Sequence, residues 1–229
     1  MSINVVDRVD DFVKVQNILV SVSDKSGLEQ FIPNLVAINP QIQIYSTGGT
    51  FGRIREILGD SADGCLMQVA DYTGQPETQG GLVKTLDFKI YLGLLTETYN
   101  EAHQEDLKRT GAVPIDMVVV NLYPFKATIS RPDVTVEQAR GNIDIGGPCM
   151  IRASAKNYIR VASVVDPADY ARILADLKAN QGATSLDLRF QLACKAFDHT
   201  AVYDRTIADF LKSKHFKDVK NCYQLENKE

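Results

Sequence analysis

Short, almost wholly apolar runs separated by helix-length amphipathic stretches constrain this chain more than any other feature. Residues 117–120 read MVVV and continue into Asn121-Leu122. A strand with one face in water alternates polar and apolar residues, whereas a strand of a parallel sheet, covered on both faces, does not. Residues 18–22 (ILVSV) have the same character, and shorter runs stand at 42–46, 66–70, 89–95 and 160–165. All are read as strands. Helical patterns over 27–36, 51–58 and 100–109 lie between them. Strand alternating with helix predicts an α/β fold with a mostly parallel sheet flanked by helices.

The last third has a different rhythm. Asp166-Pro167 opens a helix running to about residue 180, and residues 185–211 are helical almost throughout, with Leu188, Leu192, Ala196 and Phe197 on one stripe. The expected organisation is an N-terminal extension over 1–16, one domain over 17–213 whose helical part begins near 166, and a tail over 214–229.

With 25 basic and 29 acidic residues, the net charge is −4. Such a balance disfavours general nucleic-acid binding, which needs a basic excess. Cys65, Cys149, Cys194 and Cys222 are scattered, without a C-x-x-C pair, and read as reduced and mostly buried. None of the three histidines has zinc-ligand spacing with a cysteine. No run approaches membrane-span or signal-peptide length, so a cytoplasmic chain away from membranes is expected.

Candidate chemistry gathers at strand ends, where open α/β sheets bind ligands. Ser21 to Gly27 (SVSDKSG) places hydroxyls and Lys25 before a helix N-terminus, whose free N–H groups attract anions; a plain helix cap is the alternative. Thr47-Gly48-Gly49-Thr50 lets backbone approach an anion closely, although it lacks the P-loop lysine. Gly80 to Leu86 carries Lys84 and Thr85 after a glycine pair. Asn121-Leu122-Tyr123-Pro124-Phe125 follows the MVVV run, and 143–148 (IDIGGP) leads to Arg152 and Lys156, four apart on one helix face. His199 has no partner at triad or metal spacing and reads as structural.

Taken in order, SVSDKSGL, STGGT, GGLVKTL, NLYPF, IDIGG, IRASAKN and KAFDHTAVYD make the chain resemble the IMP cyclohydrolase domain of the bifunctional purine-biosynthesis protein, over about residues 17–211. The other half of that protein, a formyltransferase, has no counterpart here, so a stand-alone cyclohydrolase beside a separate formyltransferase is expected. The resemblance implies a methylglyoxal-synthase-like fold with a C-terminal helical subdomain and a homodimer needing neither metal nor organic cofactor. The implied reaction is closure of FAICAR to IMP with loss of water.

By the same resemblance Ser23, Asp24, Lys25, Thr47, Gly48, Gly49, Thr50, Leu82, Val83 and Thr85 line the nucleotide site. Val120, Asn121, Asp144 and Ile145 meet the base, and Gly146 belongs to the same substrate site. Lys156 corresponds to the proton-transfer lysine, and Lys84, Tyr123 and Asp144 to the other catalytic positions. Where the family reads GGRVKTLHP, this chain has Leu82 for the arginine and Asp87-Phe88 for HP, with Tyr91 replacing a further histidine. Losing an arginine contact costs ~1.5–3 kcal/mol, and Arg53, Arg55 or Lys89 are the expected substitutes. A phosphate-sensing module and a methylglyoxal synthase are the competing readings.

Overall fold

The computed structural model describes residues 5–75 and 85–226. Its centre is a five-stranded sheet whose paired strands are all parallel: β2 (Asn17–Val22), β3 (Gln43–Ser46), β4 (Leu66–Gln68), β5 (Met117–Asn121) and β6 (Ala162–Val164), in the order β4-β3-β2-β5-β6. The chain moves outward from β2 to β3 and β4, then crosses back to place β5 and β6 on the other side. The strand order therefore reverses between β2 and β5, and a crevice opens there at their carboxyl ends. A separate antiparallel pair joins β1 (Phe12–Lys14) to β7 (Ala183–Ser185).

Side chains alternate across the strands, so β2 and β5 feed two cores. Ile18, Val20, Met117 and Val119 are fully buried on one face with α1 (Leu28–Ile38), α2 (Gly48–Leu58) and α9 (Tyr170–Ala179). Leu19, Val118 and Val120 face α4 (Phe88–Leu95), α8 (Gly146–Lys156) and α10 (Leu186–Lys212). The other α-helices among the described residues are α3 (Val69–Thr73), α5 (Glu101–Thr110), α6 (Phe125–Ile129), α7 (Val136–Gly141) and α11 (Phe216–Lys220).

The run over 89–95, expected as a strand, is helix α4. Asp87 caps it by accepting from the Lys89 N–H at 2.7 Å, and Ile90, Gly93 and Leu94 are buried at i, i+3 and i+4 spacing. A short apolar run with neither period strongly marked is ambiguous from sequence. Gly93 also lets α4 press on the chain before β5, for a Cβ there would stand 2.3 Å from the Val113 carbonyl oxygen.

Three smaller expectations change. The run over 66–70 is strand only to Gln68, after which the chain turns into α3. Phe197 is 39% exposed and leaves the buried stripe of α10, which runs through Leu188, Leu192, Ala196, Thr200 and Tyr203. Among the cysteines only Cys65 is buried, although all four are free thiols.

Candidate active site at the carboxyl rim

Two hydroxyl contacts tie β2 to the β3–α2 turn. Ser21 Oγ lies 3.0 Å from Thr47 Oγ1, and Thr50 Oγ1 both accepts from the Val22 N–H (3.1 Å) and donates to the Val22 carbonyl (3.0 Å). With Thr47 engaged by Ser21, no side chain caps α2. Its first turn therefore presents the Gly48 and Gly49 N–H groups and the positive end of the helix dipole to the rim, while the Thr50 N–H donates to the Thr47 carbonyl (3.1 Å). Lys25 crosses towards this turn, its Cε 4.0 Å from where a Cβ on Gly49 would sit.

Asn121 closes the other side. Its Oδ1 accepts from the N–H groups of Ser23 (2.7 Å) and Asp24 (2.8 Å), while its Nδ2 donates to the Asp24 carbonyl (2.8 Å). The amide thus holds the loop after β2 from the end of β5. Asp24 in turn accepts from the Ser26 N–H and hydroxyl, which keep its carboxyl below the ordinary range.

The start of α8 forms the third wall. Asp144 Oδ1 accepts from the Gly147 N–H at 2.9 Å, and burial pushes this carboxyl above its ordinary pKa against the pull of the Gly147 and Tyr123 N–H groups. The glycine pair leaves room for the side chains packed on it: a Cβ on Gly146 would lie 2.6 Å from Thr85 Oγ1, and one on Gly147 2.6 Å from Asp144 Oδ2, so those side chains would have to move. Tyr123 and Ile145 stand at the rim, more than half exposed.

Together these segments enclose a cavity of about 490 Å³, lined by Ser23, Lys25, Thr47, Gly48, Gly49, Thr50, Thr85, Val120, Asn121, Tyr123, Asp144, Ile145 and Gly146 among the expected residues. That volume suits a small-molecule ligand. Ser21, Val22, Leu86, Gly141, Ile143, Gly147 and Met150 also line it. Among the described lining residues Lys25 is the only ammonium group and Asp144 the only carboxylate.

Other expected residues stand elsewhere. Leu82, Val83 and Lys84 lie outside the described residues. Lys156 is exposed at the last position of α8 and does not line the cavity. Six residues separate it from Met150, the last residue of α8 that lines the cavity, about 9 Å at the α-helical rise. Arg53, Arg55 and Lys89, expected in place of the family arginine, are not among the described residues that line the cavity. Arg53 pairs with Glu56, Arg55 with Asp63, and Lys89 donates to the Tyr72 carbonyl.

Asp24 lines a neighbouring cavity of about 480 Å³, whose wall with the first is Ser23 and Asn121. Lys195 and His199 reach it from α10. Lys195 is engaged by Asp166 (2.6 Å) and Asp169 (2.8 Å). His199 Nε2 is buried without a hydrogen-bond partner among the described residues, and burial lowers its pKa.

Comparison with known proteins shows the family and the fold. Residues 27–149 match the MGS-like domain, and residues 154–229 match the AICARFT/IMPCHase bienzyme. The bifunctional purine biosynthesis protein PurH of Lactiplantibacillus plantarum is 50% identical over 198 residues, covering 86% of this chain and 37% of that protein. PurH of Magnetococcus marinus is 46% identical over 200 residues, covering 87% and 36%. The chain thus spans little more than a third of the length of these relatives. The crystal structure of ForH superposes with a TM-score of 0.72 at 29% identity, covering 86% of this chain and 99% of that one. The chain therefore belongs to the MGS-like domain family and carries, after that domain, a C-terminal segment of the AICARFT/IMPCHase type.

Proposed function

We propose that the chain is an IMP cyclohydrolase of purine biosynthesis, closing FAICAR to IMP with loss of water. The observation that carries this reading is the convergence of four separate segments, contributing Ser23 and Lys25, Thr47 to Thr50, Val120, Asn121 and Tyr123, and Asp144 to Gly146, on one cavity that holds an uncapped helix start and a half-buried carboxylate.

The phosphate would sit on the N–H groups of Gly48 and Gly49 beside Lys25, where the helix dipole and a full positive charge act together. The imidazole and its two reactive arms would then lie between Asn121 and Asp144. Nucleophile and electrophile belong to one molecule, so catalysis is chiefly the holding of one rotamer. The carboxamide nitrogen must shed a proton as it attacks, and the formyl oxygen gathers negative charge that needs preorganised donors. Asp144 would accept a hydrogen bond from the carboxamide, and Tyr123 would orient the amide from the rim. Lys84 and backbone N–H groups near Asp144 would stabilise the oxyanion.

Lys156 would be the proton shuttle. Because Lys156 is not among the described residues that line the cavity of its own chain, it would reach the mouth from a second copy in a homodimer. Arg152 stands beside Lys156 on α8, over the ring of the exposed Phe197 (5.7 Å), and supplies an apolar and cationic face for that contact. FAICAR would come from a separate formyl-transfer step.

Incubating the purified chain with FAICAR and following IMP chromatographically tests the proposal. Stoichiometric conversion over many turnovers is expected. Binding of IMP without turnover of FAICAR would instead identify a nucleotide sensor.

A further inference from the structure

One hydrogen bond links the cavity to the long C-terminal helix. The backbone N–H of Asp144 donates to Tyr203 Oη at 2.8 Å, across 59 residues of sequence. Tyr203 is 9% exposed, and its ring meets Phe125 edge-on at 6.2 Å between centroids. Packing therefore fixes the ring, and with it the position of the oxygen that Asp144 donates to. Burial raises the pKa of this hydroxyl, so it stays neutral at ordinary pH. The carboxylate of Asp144 is steered separately by Gly147. Its main chain is steered by Tyr203.

The bond also joins the two matched segments of the chain. Asp144 lies within residues 27–149, whereas Tyr203 lies within 154–229. Ile145, immediately before α8, makes no side-chain cap and is 58% exposed, so the first turn of α8 is held by the Asp144 carboxylate through the Gly147 N–H. Where Asp144 stands therefore fixes both the carboxylate and the start of the helix.

We infer that Tyr203 is a positioning residue: through the Asp144 N–H it sets where the Asp144 carboxylate stands in the cavity. The effect on catalysis rests on the proposed ring-closing function, whereas the effect on Asp144 does not. Removing the hydroxyl leaves the ring packing intact and strands a partly buried N–H.

The test compares Tyr203→Phe with Phe210→Leu. Phe210 packs on the same Phe125 ring, edge-on at 5.9 Å, and carries no hydroxyl to meet the Asp144 N–H. Amide hydrogen exchange at Asp144, IMP affinity, and kcat and KM for FAICAR are measured for each. Tyr203→Phe is expected to speed exchange at Asp144 about tenfold and to lower kcat on the order of tenfold, with KM moving less than about twofold, as loss of positioning rather than binding requires. Phe210→Leu is expected to lower thermal stability while leaving Asp144 exchange and kcat close to wild type. Unchanged exchange in Tyr203→Phe, changed exchange without loss of kcat, or an equal loss of kcat in Phe210→Leu would each overturn the inference. If the wild-type chain binds IMP but never turns over FAICAR, the ring-closure reading fails alone. Asp144 exchange and IMP affinity in Tyr203→Phe then decide the positioning role.

Discussion

Thr50 and Val22 exchange two hydrogen bonds through one hydroxyl, the threonine oxygen accepting from the valine N–H at 3.1 Å and donating to its carbonyl at 3.0 Å. A side chain thus extends the pairing of β2 beyond the point where β3 has already turned into α2. The two loops that would grip an anion are locked together by it. Thr50→Val keeps the shape and removes both bonds, leaving a buried N–H unpaired at a cost of about 1–3 kcal/mol. Urea denaturation should show that loss as a lower midpoint at unchanged slope.

Lys25 supplies the only ammonium group among the described residues lining the cavity. Lys25→Gln should weaken IMP binding by roughly 1.5–3 kcal/mol, the range for a hydrogen bond to a charged group. Titration calorimetry at two salt concentrations checks this. The wild-type affinity should fall with salt, and that of the variant should fall less.

Asp144 gives a pH dependence of definite sign. Its native pKa is raised by burial. A carboxyl of this kind binds its proton more tightly in the native state; the resulting stabilisation is complete below the unfolded value of about 3.9 and is lost as pH rises through the native pKa. Asp144→Asn retains an acceptor for the Gly147 N–H and carries no such penalty. Relative to wild type, this variant should therefore gain stability from pH 4 upward and level off once Asp144 is ionised, while losing ring-closing activity. Thermal melts across that range measure the difference.

Arg189 is fully buried and donates to the carbonyls of Asp10, Tyr158 and Thr184, without a carboxylate partner in bonding distance among the described residues. It holds the segment before β1 against the start of α10. Arg189→Met should strand these carbonyls and destabilise the fold by about 3 kcal/mol or more. Limited proteolysis should cut the first 15 or so residues much faster.

The strands around the site were legible because β2 and β5 are buried on both faces and carry almost wholly apolar runs, interrupted in β2 only by Ser21. The loops were legible because glycine pairs and hydroxyls at strand ends mark turns where backbone meets a ligand. α4 was misread because its apolar run is short and its cap, Asp87, lies just outside it. Tyr203 was hidden for a different reason. Its contribution is one long-range bond to a main-chain N–H, and a backbone partner leaves no trace in residue identity. Arg152 and Lys156 read as a cationic pair suited to an anion, but helical spacing fixes only which face they share. It does not fix how far along α8 the cavity extends, which depends on Gly146, Gly147 and Met150 at the other end.

A crystal structure of the chain with IMP bound tests the account most directly. It predicts the phosphate on the Gly48 and Gly49 N–H groups within reach of Lys25, and the purine between Asn121 and Asp144. A nucleotide seated in the neighbouring cavity beside Lys195 and His199, with the space between Lys25 and Asp144 empty, would contradict it.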